Sequence, residues 1–258
     1  MLLAPAAVVA ADDALVLLIQ PILSAERTKQ AFQPLADYLG RSASVRCVIS
    51  TQPNFLAYWD TVRRRDAYDL VLDAAHFTDY RIQKMGFHVL AKIPDSVSYT
   101  LLVPDINPVI DPMELVGKTV ATLGPPSIGA ARLSAMFPNP ARQPVNVEVQ
   151  SAEEGIELVL KRRVAGAILP TPIVSRQMAG SGGISVVATT EPIPHIALSA
   201  APNVPTAVRE RIRTALLSAH RVPDGQRMLT AIGFERFDAA TPELYAGHSS
   251  ILREYWGY

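Results

Sequence analysis

A short apolar strand, a Gly/Pro turn and the start of an amphipathic helix follow one another in residues 120–136. Ser127 stands where the helix begins, and Gly129 follows in its first turn. The amides of a first helical turn lack internal partners and carry roughly half a positive charge, so with a serine hydroxyl they can hold an oxyanion. A glycine there lets backbone and ligand approach closely. The pattern predicts an anion-binding corner.

Other interpretations of this corner differ in what the serine does. Ser127 is also a good N-cap, and a cap alone needs no ligand, so this alternative stays open. A nucleophile elbow requires Gly-x-Ser-x-Gly, whereas two prolines separate Gly124 from Ser127. A Walker loop requires Gly-Lys followed by Ser or Thr, which the segment lacks.

The cysteine and histidine content argues against metal sites and covalent catalysis. Cys47 is the only cysteine and lies in a strand-like run, 44–50, which favours core packing and leaves no disulfide, thiolate cluster or lipid-anchor cysteine. The histidines show no metal-ligand spacing, and no His-Glu-x-x-His motif occurs. No acid/base pair of carboxylates stands out. We therefore expect no metal, no cofactor and no enzymatic activity.

Charge and composition narrow the class of partner. The 258 residues include 24 Lys plus Arg and 24 Asp plus Glu, and 49% are hydrophobic. This is a globular composition with material for one large domain or two small ones, and its balanced charge gives no reason to expect nucleic-acid binding. The basic run 63–65 is explained as the solvated end of a helix.

The first eleven residues have the composition of an export signal. Residues 1–11 are apolar and mostly small, and they end before the acidic pair Asp12 and Asp13. This resembles the end of a signal peptide that lacks its basic start. The run is too short to span a bilayer, and no other segment reaches about 20 apolar residues. The sequence predicts an exported, soluble protein whose mature chain starts near Ala11 or Asp12.

Strand and helix signals alternate along the chain with short connections, which is typical of α/β proteins with mostly parallel sheets. The clearest helix, over 204–220, has an apolar stripe that repeats at helical spacing. Strands are predicted near 14–20, 44–50, 68–73, 87–93, 98–104, 117–123, 145–150, 165–169, 184–191 and 195–201.

Ten strands exceed what one small open sheet usually holds, so we expect two lobes. The extended segments 99–104 and 185–194 are the predicted crossings between them, and two crossings make a hinge. One lobe is expected to comprise 12–98 plus 195–258 and the other 99–194. Small ligands of such proteins lie in the cleft, at the carboxyl ends of strands and the N-termini of helices.

Six segments in the same order match landmarks of one known family. They are residues 32–39 (Phe-Gln-Pro-Leu-Ala-Asp-Tyr-Leu), 68–73 (Tyr-Asp-Leu-Val-Leu-Asp), 115–120 (Leu-Val-Gly-Lys-Thr-Val), 124–129 (Gly-Pro-Pro-Ser-Ile-Gly), 191–195 (Glu-Pro-Ile-Pro-His) and 224–234. On these segments the chain resembles the phosphonate- and phosphate-type periplasmic substrate-binding proteins of ABC importers. The resemblance implies the type II periplasmic-binding-protein fold: two mostly parallel sheets flanked by helices and joined by a two-segment hinge.

The chain differs from the family at several ligand-binding positions. The family's Ser-Thr-Ser-Gly turn is here Pro126-Ser127-Ile128-Gly129, which keeps one hydroxyl with the amides of Ile128 and Gly129. The family histidine after the next strand has no counterpart at 150–152, and its Asp-Ala pair is Ala165-Gly166. Carboxylates that would bind the ammonium group of an aminophosphonate are therefore not where the family places them.

The resemblance places the ligand cleft at the ends of strands and the starts of helices. Several of these residues also have ordinary explanations: core aromatics, a surface histidine, a helix cap and a turn threonine. The ligand-binding positions that it implies are Gln20, Phe55, Ala75, His76, Tyr99, Ser127, Ile128, Gly129, Ser151 and Thr171.

The resemblance implies a periplasmic solute-binding protein that closes on a small anionic or polar solute, with phosphonate- or phosphate-like oxyanions favoured. The expected partners are that ligand and the permease of an ABC importer, with the chain acting as a monomer. A sensory module on the same fold, which signals to a membrane partner, is the alternative. An enzyme on this fold would need an acid/base pair or a nucleophile in the cleft.

Overall fold

The computed structural model describes residues 14–65 and 67–253. The predicted leader, residues 1–11, and the predicted start of the mature chain lie outside these residues. Across the described ranges, no helix combines the length and the apolar character needed to cross a membrane.

Twelve strands are formed by the described residues. They are β1 (Leu15–Ile19), β2 (Cys47–Thr51), β3 (Leu70–Asp73), β4 (His88–Lys92), β5 (Ser96–Val97), β6 (Tyr99–Pro104), β7 (Thr119–Thr122), β8 (Val145–Glu148), β9 (Gly166–Pro170), β10 (Ile184–Thr189), β11 (Ile193–Pro194) and β12 (Ala197–Ala200). Ten of them lie at the predicted places, and the two-residue strands β5 and β11 were not predicted.

Within the described ranges, nine α-helices lie between or after these strands. They are α1 (Ala25–Ala43), α2 (Phe55–Val62), α3 (Ala75–Met85), α4 (Ile128–Met136), α5 (Ala152–Leu160), α6 (Thr171–Gly180), α7 (Thr206–Ser218), α8 (Pro223–Ile232) and α9 (Pro242–Tyr245). Four short 3-10 helices cover Pro112–Leu115, Pro140–Arg142, Ala219–Arg221 and His248–Leu252.

Two five-stranded sheets form the framework, with strand orders β2-β1-β3-β12-β4 and β10-β6-β9-β7-β8. In the first sheet only β12 runs against the others, and in the second only β6 does. Each of these reversed strands directly follows a passage of the chain from the other sheet. We call each sheet with its helices the first and the second lobe. The prediction of two mostly parallel sheets flanked by helices is confirmed.

The passages between the lobes are short. β5 and β11 pair antiparallel, with Val97 opposite Ile193 and Ser96 opposite Pro194. Most of each predicted crossing is instead a strand of the second sheet, because 99–104 is buried there as β6 and 184–189 pairs with it as β10. The two chain segments that join the lobes thus lie side by side next to β6.

Apolar side chains on both faces of the sheets form the core. Helix α1 packs against β2, α7 and α8 in the first lobe, while α4 and α5 pack against β9 in the second. Cys47 lies in this core as predicted, and burial raises the pKa of its thiol to about 12, with Asp69 and Asp37 adding to the shift. The thiol is therefore protonated and unreactive at neutral pH.

Candidate functional site

The start of α3 in the first lobe faces the start of α4 in the second. His76 lies in the first turn of α3, and its Nε2 is 3.0 Å from the carbonyl oxygen of Pro126. Ala75 packs in one cluster with Tyr99 and Ile128. The corner predicted from the sequence therefore lies at the boundary between the lobes.

Ser127 is the N-cap of α4. Its Oγ accepts a hydrogen bond from the Ala130 amide at 3.2 Å, and its own amide donates to the Gly124 carbonyl at 2.9 Å. The amides of Ile128 and Gly129 make no hydrogen bond to any described residue. The serine therefore caps the helix, and two first-turn donors stay available for an anion.

Gly129 is required by packing at the start of α4. A Cβ atom at this position would lie 3.0 Å from the Ile168 carbonyl oxygen of β9 and 3.6 Å from Cδ1 of Tyr99. Absence of a side chain thus lets the helix start approach the middle of the second sheet. This is a close approach between chain segments, in addition to the approach to a ligand that the sequence suggested.

His76 is buried, with 1% of its surface exposed, rather than a surface histidine. A carbonyl oxygen only accepts, so Nε2 carries the proton that it donates to Pro126 and Nδ1 is a lone-pair acceptor. Nδ1 has no hydrogen-bond partner among the described residues. Burial lowers the pKa of His76 to about 3, with smaller contributions from Arg81 and His248, against the opposing effect of the Pro126 bond. The neutral imidazole thus donates one hydrogen bond across the boundary between the lobes.

We expect the free energy of unfolding to fall as the pH drops below about 6.5. Between that pH and the pKa of about 3 the unfolded chain binds a proton at His76 and the folded chain does not, so this group contributes a loss of up to about 1.4 kcal/mol per pH unit. Urea unfolding from neutral to acid pH measures it. His76→Gln should reduce the slope. Equal slopes for the wild type and His76→Gln would contradict the assignment.

The other sequence-predicted residues have different surroundings. Gln20 is 4% exposed, and its Oε1 accepts from the Ala74 amide at 3.1 Å. Phe55 is buried in an aromatic cluster, with its ring centroid 6.1 Å from that of Phe77. It does not line the cavity described below. Phe55 is therefore a core aromatic of the first lobe, which was its ordinary explanation.

Ser151 and Thr171 are occupied by protein contacts. The Ser151 hydroxyl caps α5 by accepting from the Glu154 amide at 3.1 Å, and the Ala152 amide donates to the Ile22 carbonyl of the first lobe at 3.0 Å. The Thr171 hydroxyl shares hydrogen bonds of 2.9 Å with the hydroxyls of Ser98 and Thr100. These contacts join the lobes and the crossing, and they leave less capacity for a ligand than the resemblance implies.

A cavity of about 200 Å³ lies between the lobes, next to this contact region. Gln20 and Ala74 line it from the first lobe, Tyr99 and Pro170 from the second, and His195 from the passage between them. Sequence reasoning missed several of its lining residues: Phe32, Ile173, Arg176, His195 and Phe234. The sequence marks these residues only weakly. Apolar residues are also normal in a core, and an arginine on a helix is normal at a surface.

The polar groups of this cavity are mainly donors. His195 accepts the Ile196 amide at Nδ1, 2.8 Å away, which leaves a protonated Nε2 in the neutral ring. Burial lowers the pKa of His195 to about 4, with Lys92 adding to the shift and Asp95 opposing it. Arg176 is exposed at the cavity, and within the described chain no acidic side chain lines it. In the same part of the chain, no cluster of three or more His, Cys, Asp or Glu could hold a metal ion.

Solved structures of periplasmic binding proteins share this fold. PhnD1 of Prochlorococcus marinus, in complex with methylphosphonate, matches with a TM-score of 0.79 at 14% identity over 93% of this chain and 97% of that one. XAC2383 of Xanthomonas citri, bound to ATP, matches with a TM-score of 0.73 at 18% identity over 93% and 98%. A phosphonate-transporter binding protein of Pseudomonas aeruginosa matches with a TM-score of 0.72 at 14% identity over 90% and 83%.

Sequence comparison assigns the family. No curated protein sequence matches the chain. A family described as the periplasmic substrate-binding protein of phosphonate ABC transporters matches residues 17–245, nearly the whole described chain. The members are substrate-binding proteins and not enzymes, and their location is the periplasm. The resemblance seen in the sequence is thus confirmed, and the chain belongs to the phosphonate-type periplasmic substrate-binding proteins of ABC transporters.

Proposed function

We propose that this protein captures a small organic oxyanion, of the phosphonate type, in the cleft between its lobes and presents it to the permease of an ABC importer. The observation that carries the proposal is the start of α4. There the Ile128 and Gly129 amides have no partner in the described chain and lie at the lobe boundary beside His76. Family membership favours this transport role over the signalling alternative.

The ligand would be held by the Ser127 hydroxyl and by the Ile128 and Gly129 amides, while the positive end of α4 stabilises its charge. Charge-assisted hydrogen bonds in a desolvated cleft are consistent with micromolar affinity, about −8 kcal/mol. No covalent change of the ligand is involved. The remaining predicted contacts, Gln20 and Tyr99, line the neighbouring cavity.

A thermal-shift screen tests the proposal. Phosphate, phosphite, alkylphosphonates, sulfonates and small carboxylates are compared at high concentration. A ligand at 100 times its Kd adds about 2.7 kcal/mol of stability, which raises the Tm of a chain of this size by roughly 5–10 °C. Absence of a shift with every oxyanion, confirmed by calorimetric titration, would overturn the proposed function.

Closure is proposed to occur by rotation of the lobes about the paired passages, with lobe 1 formed by 12–98 plus 195–258 and lobe 2 by 99–194. Among the described residues, polar contacts between the lobes include His76 to Pro126, Ala152 to Ile22, and an exposed ion pair of Arg27 with Glu153 at 3.4 Å. Opening the cleft would break these contacts and separate Ala75 from Tyr99 and Ile128, with which it packs in one apolar cluster.

We expect small-angle scattering to show a smaller radius of gyration when a saturating ligand is added. The ligand supplies contacts to both lobes, so it shifts the population towards the closed form. Ser127→Asp, which is designed to prevent binding, should show no compaction with the same compound. A radius that stays constant while calorimetry reports saturation would exclude hinge closure.

We propose that the protein partner is the permease of the importer. We propose further that the chain acts as a monomer and does not bind nucleic acid. Its balanced charge, 24 basic and 24 acidic residues, is consistent with this proposal. Export through the segment 1–11 stays a prediction, and mass spectrometry of exported protein tests where the mature chain begins.

A further inference from the structure

We propose that the solute is an anion with an apolar body of about three to six carbon atoms and no positive charge, and that this body fills the interlobe cavity. The inference rests on the proposed function and names the class of ligand for the same site. It excludes aminoalkylphosphonates as the preferred ligand. The inference is based on the residues that line the cavity, on the cavity's volume and on the charges around it.

The lining of the cavity is apolar on both sides of the cleft. Phe32 of α1, Leu23 before that helix and Phe234 after α8 line it from the first lobe, and Pro172 and Ile173 of α6 from the second. Burying a methylene against such side chains is favourable by about 0.8 kcal/mol. A bare oxyanion would leave this surface unused.

The volume is suited to a short chain or a ring. An apolar cavity of about 150 Å³ is large enough to bind benzene. The interlobe cavity measures about 200 Å³. A body of three to six carbons therefore fits, with its charged group directed to the donors around the cavity.

The polar groups of the cavity point to an uncharged body. Gln20 uses its Oε1 for the Ala74 amide, so its NH2 group faces any ligand as a donor, and this group makes no hydrogen bond to the residues described. Arg176 adds a positive charge and lines the same cavity. No carboxylate lines it within the described chain. An ammonium group placed there would lose its water and gain no anionic partner.

Two compounds of the same shape test the inference. Propylphosphonate and 2-aminoethylphosphonate differ in a methyl against an ammonium group at the end of the chain. We expect calorimetric titration to give at least about tenfold tighter binding of propylphosphonate. From methyl- to ethyl- to propylphosphonate, affinity should rise by about fourfold per methylene. Equal or tighter binding of 2-aminoethylphosphonate would overturn the inference.

Gln20→Glu locates the effect in this cavity. The substitution keeps an oxygen for the Ala74 amide and turns the free donor into a carboxylate, so the preference for propylphosphonate should fall by at least about tenfold. Gln30→Glu adds the same charge on the exposed face of α1 and should leave the preference unchanged. An unchanged preference in Gln20→Glu would show that the end of the ligand's alkyl chain lies outside this cavity.

The outcomes separate this inference from the proposed function. If methylphosphonate or phosphate binds and the longer alkyl chains bind more weakly, oxyanion capture stands and the apolar body is wrong. If no phosphonate or phosphate binds, the proposed function fails and the inference fails with it. Thermal unfolding of both variants confirms that each is folded before its binding is compared.

Discussion

We expect Ser127→Asp to weaken oxyanion binding strongly while α4 keeps its N-cap. Aspartate is as good an N-cap as serine, and its charge favours the positive end of the helix. The same charge lies beside the Ile128 and Gly129 amides, where it repels an anion and competes for its donors. We therefore expect at least a 100-fold loss of affinity, about 2.7 kcal/mol, with little change in the free energy of unfolding.

Ser127→Ala gives the smaller, complementary result. It removes one hydroxyl and leaves the amides, so affinity should fall by about 1.5–3 kcal/mol, as for a charge-assisted hydrogen bond. Stability should fall by about 1 kcal/mol because the cap of the Ala130 amide is lost. Asn139→Asp, at the exposed N-cap of the 3-10 helix Pro140–Arg142, adds the same charge away from the cleft and should bind normally. Calorimetric titration of all three variants decides, and normal binding by Ser127→Asp would mean that the serine is only a cap.

Most of the fold could be predicted because its elements have local signals. The ten longer strands are apolar runs between turn residues, and the caps Ser127 and Ser151 are visible three residues before the amides that they accept. β5 and β11 could not be predicted in this way. Each has two residues and exists only because the other lies opposite it.

The helix start at Ser127 could be predicted from local sequence, whereas surroundings that depend on contacts between distant segments could not. Nothing local distinguishes His76 from a surface histidine, because its burial arises when Pro126 closes over it. The hydrogen bonds of the Thr171 hydroxyl to the hydroxyls of Ser98 and Thr100 likewise form only in the folded chain, and its contact with a ligand stays a prediction. The apolar cavity combines side chains from six stretches of sequence, so no spacing rule could have found it.

The sequence also gave no sign of the buried ion pair behind the site. Arg81 on α3 and Asp73 at the end of β3 are both fully buried, with Nη1 of Arg81 2.6 Å from Oδ2 of Asp73 and Nη2 bonded to Oδ1. Tyr58 donates to Oδ2 at 2.7 Å and Thr78 to Oδ1 at 3.1 Å. The guanidinium lies 5.5 Å from the Phe87 ring centroid. The attraction of Asp73 outweighs the opposing effect of burial and raises the pKa of Arg81, so the pair stays charged.

Arg81→Met should lower the free energy of unfolding by about 3–5 kcal/mol, because it leaves a buried carboxylate with only hydroxyl donors. Urea unfolding measures this loss. The double variant Asp73→Asn with Arg81→Met removes both charges and should recover part of it, whereas Arg41→Met, which breaks the exposed pair with Asp224, should cost no more than about 1 kcal/mol. A loss below about 1 kcal/mol in Arg81→Met would mean that water replaces the guanidinium. Since α3 begins two residues after Asp73 and carries His76, the ion pair also fixes the helix start against which the second lobe closes.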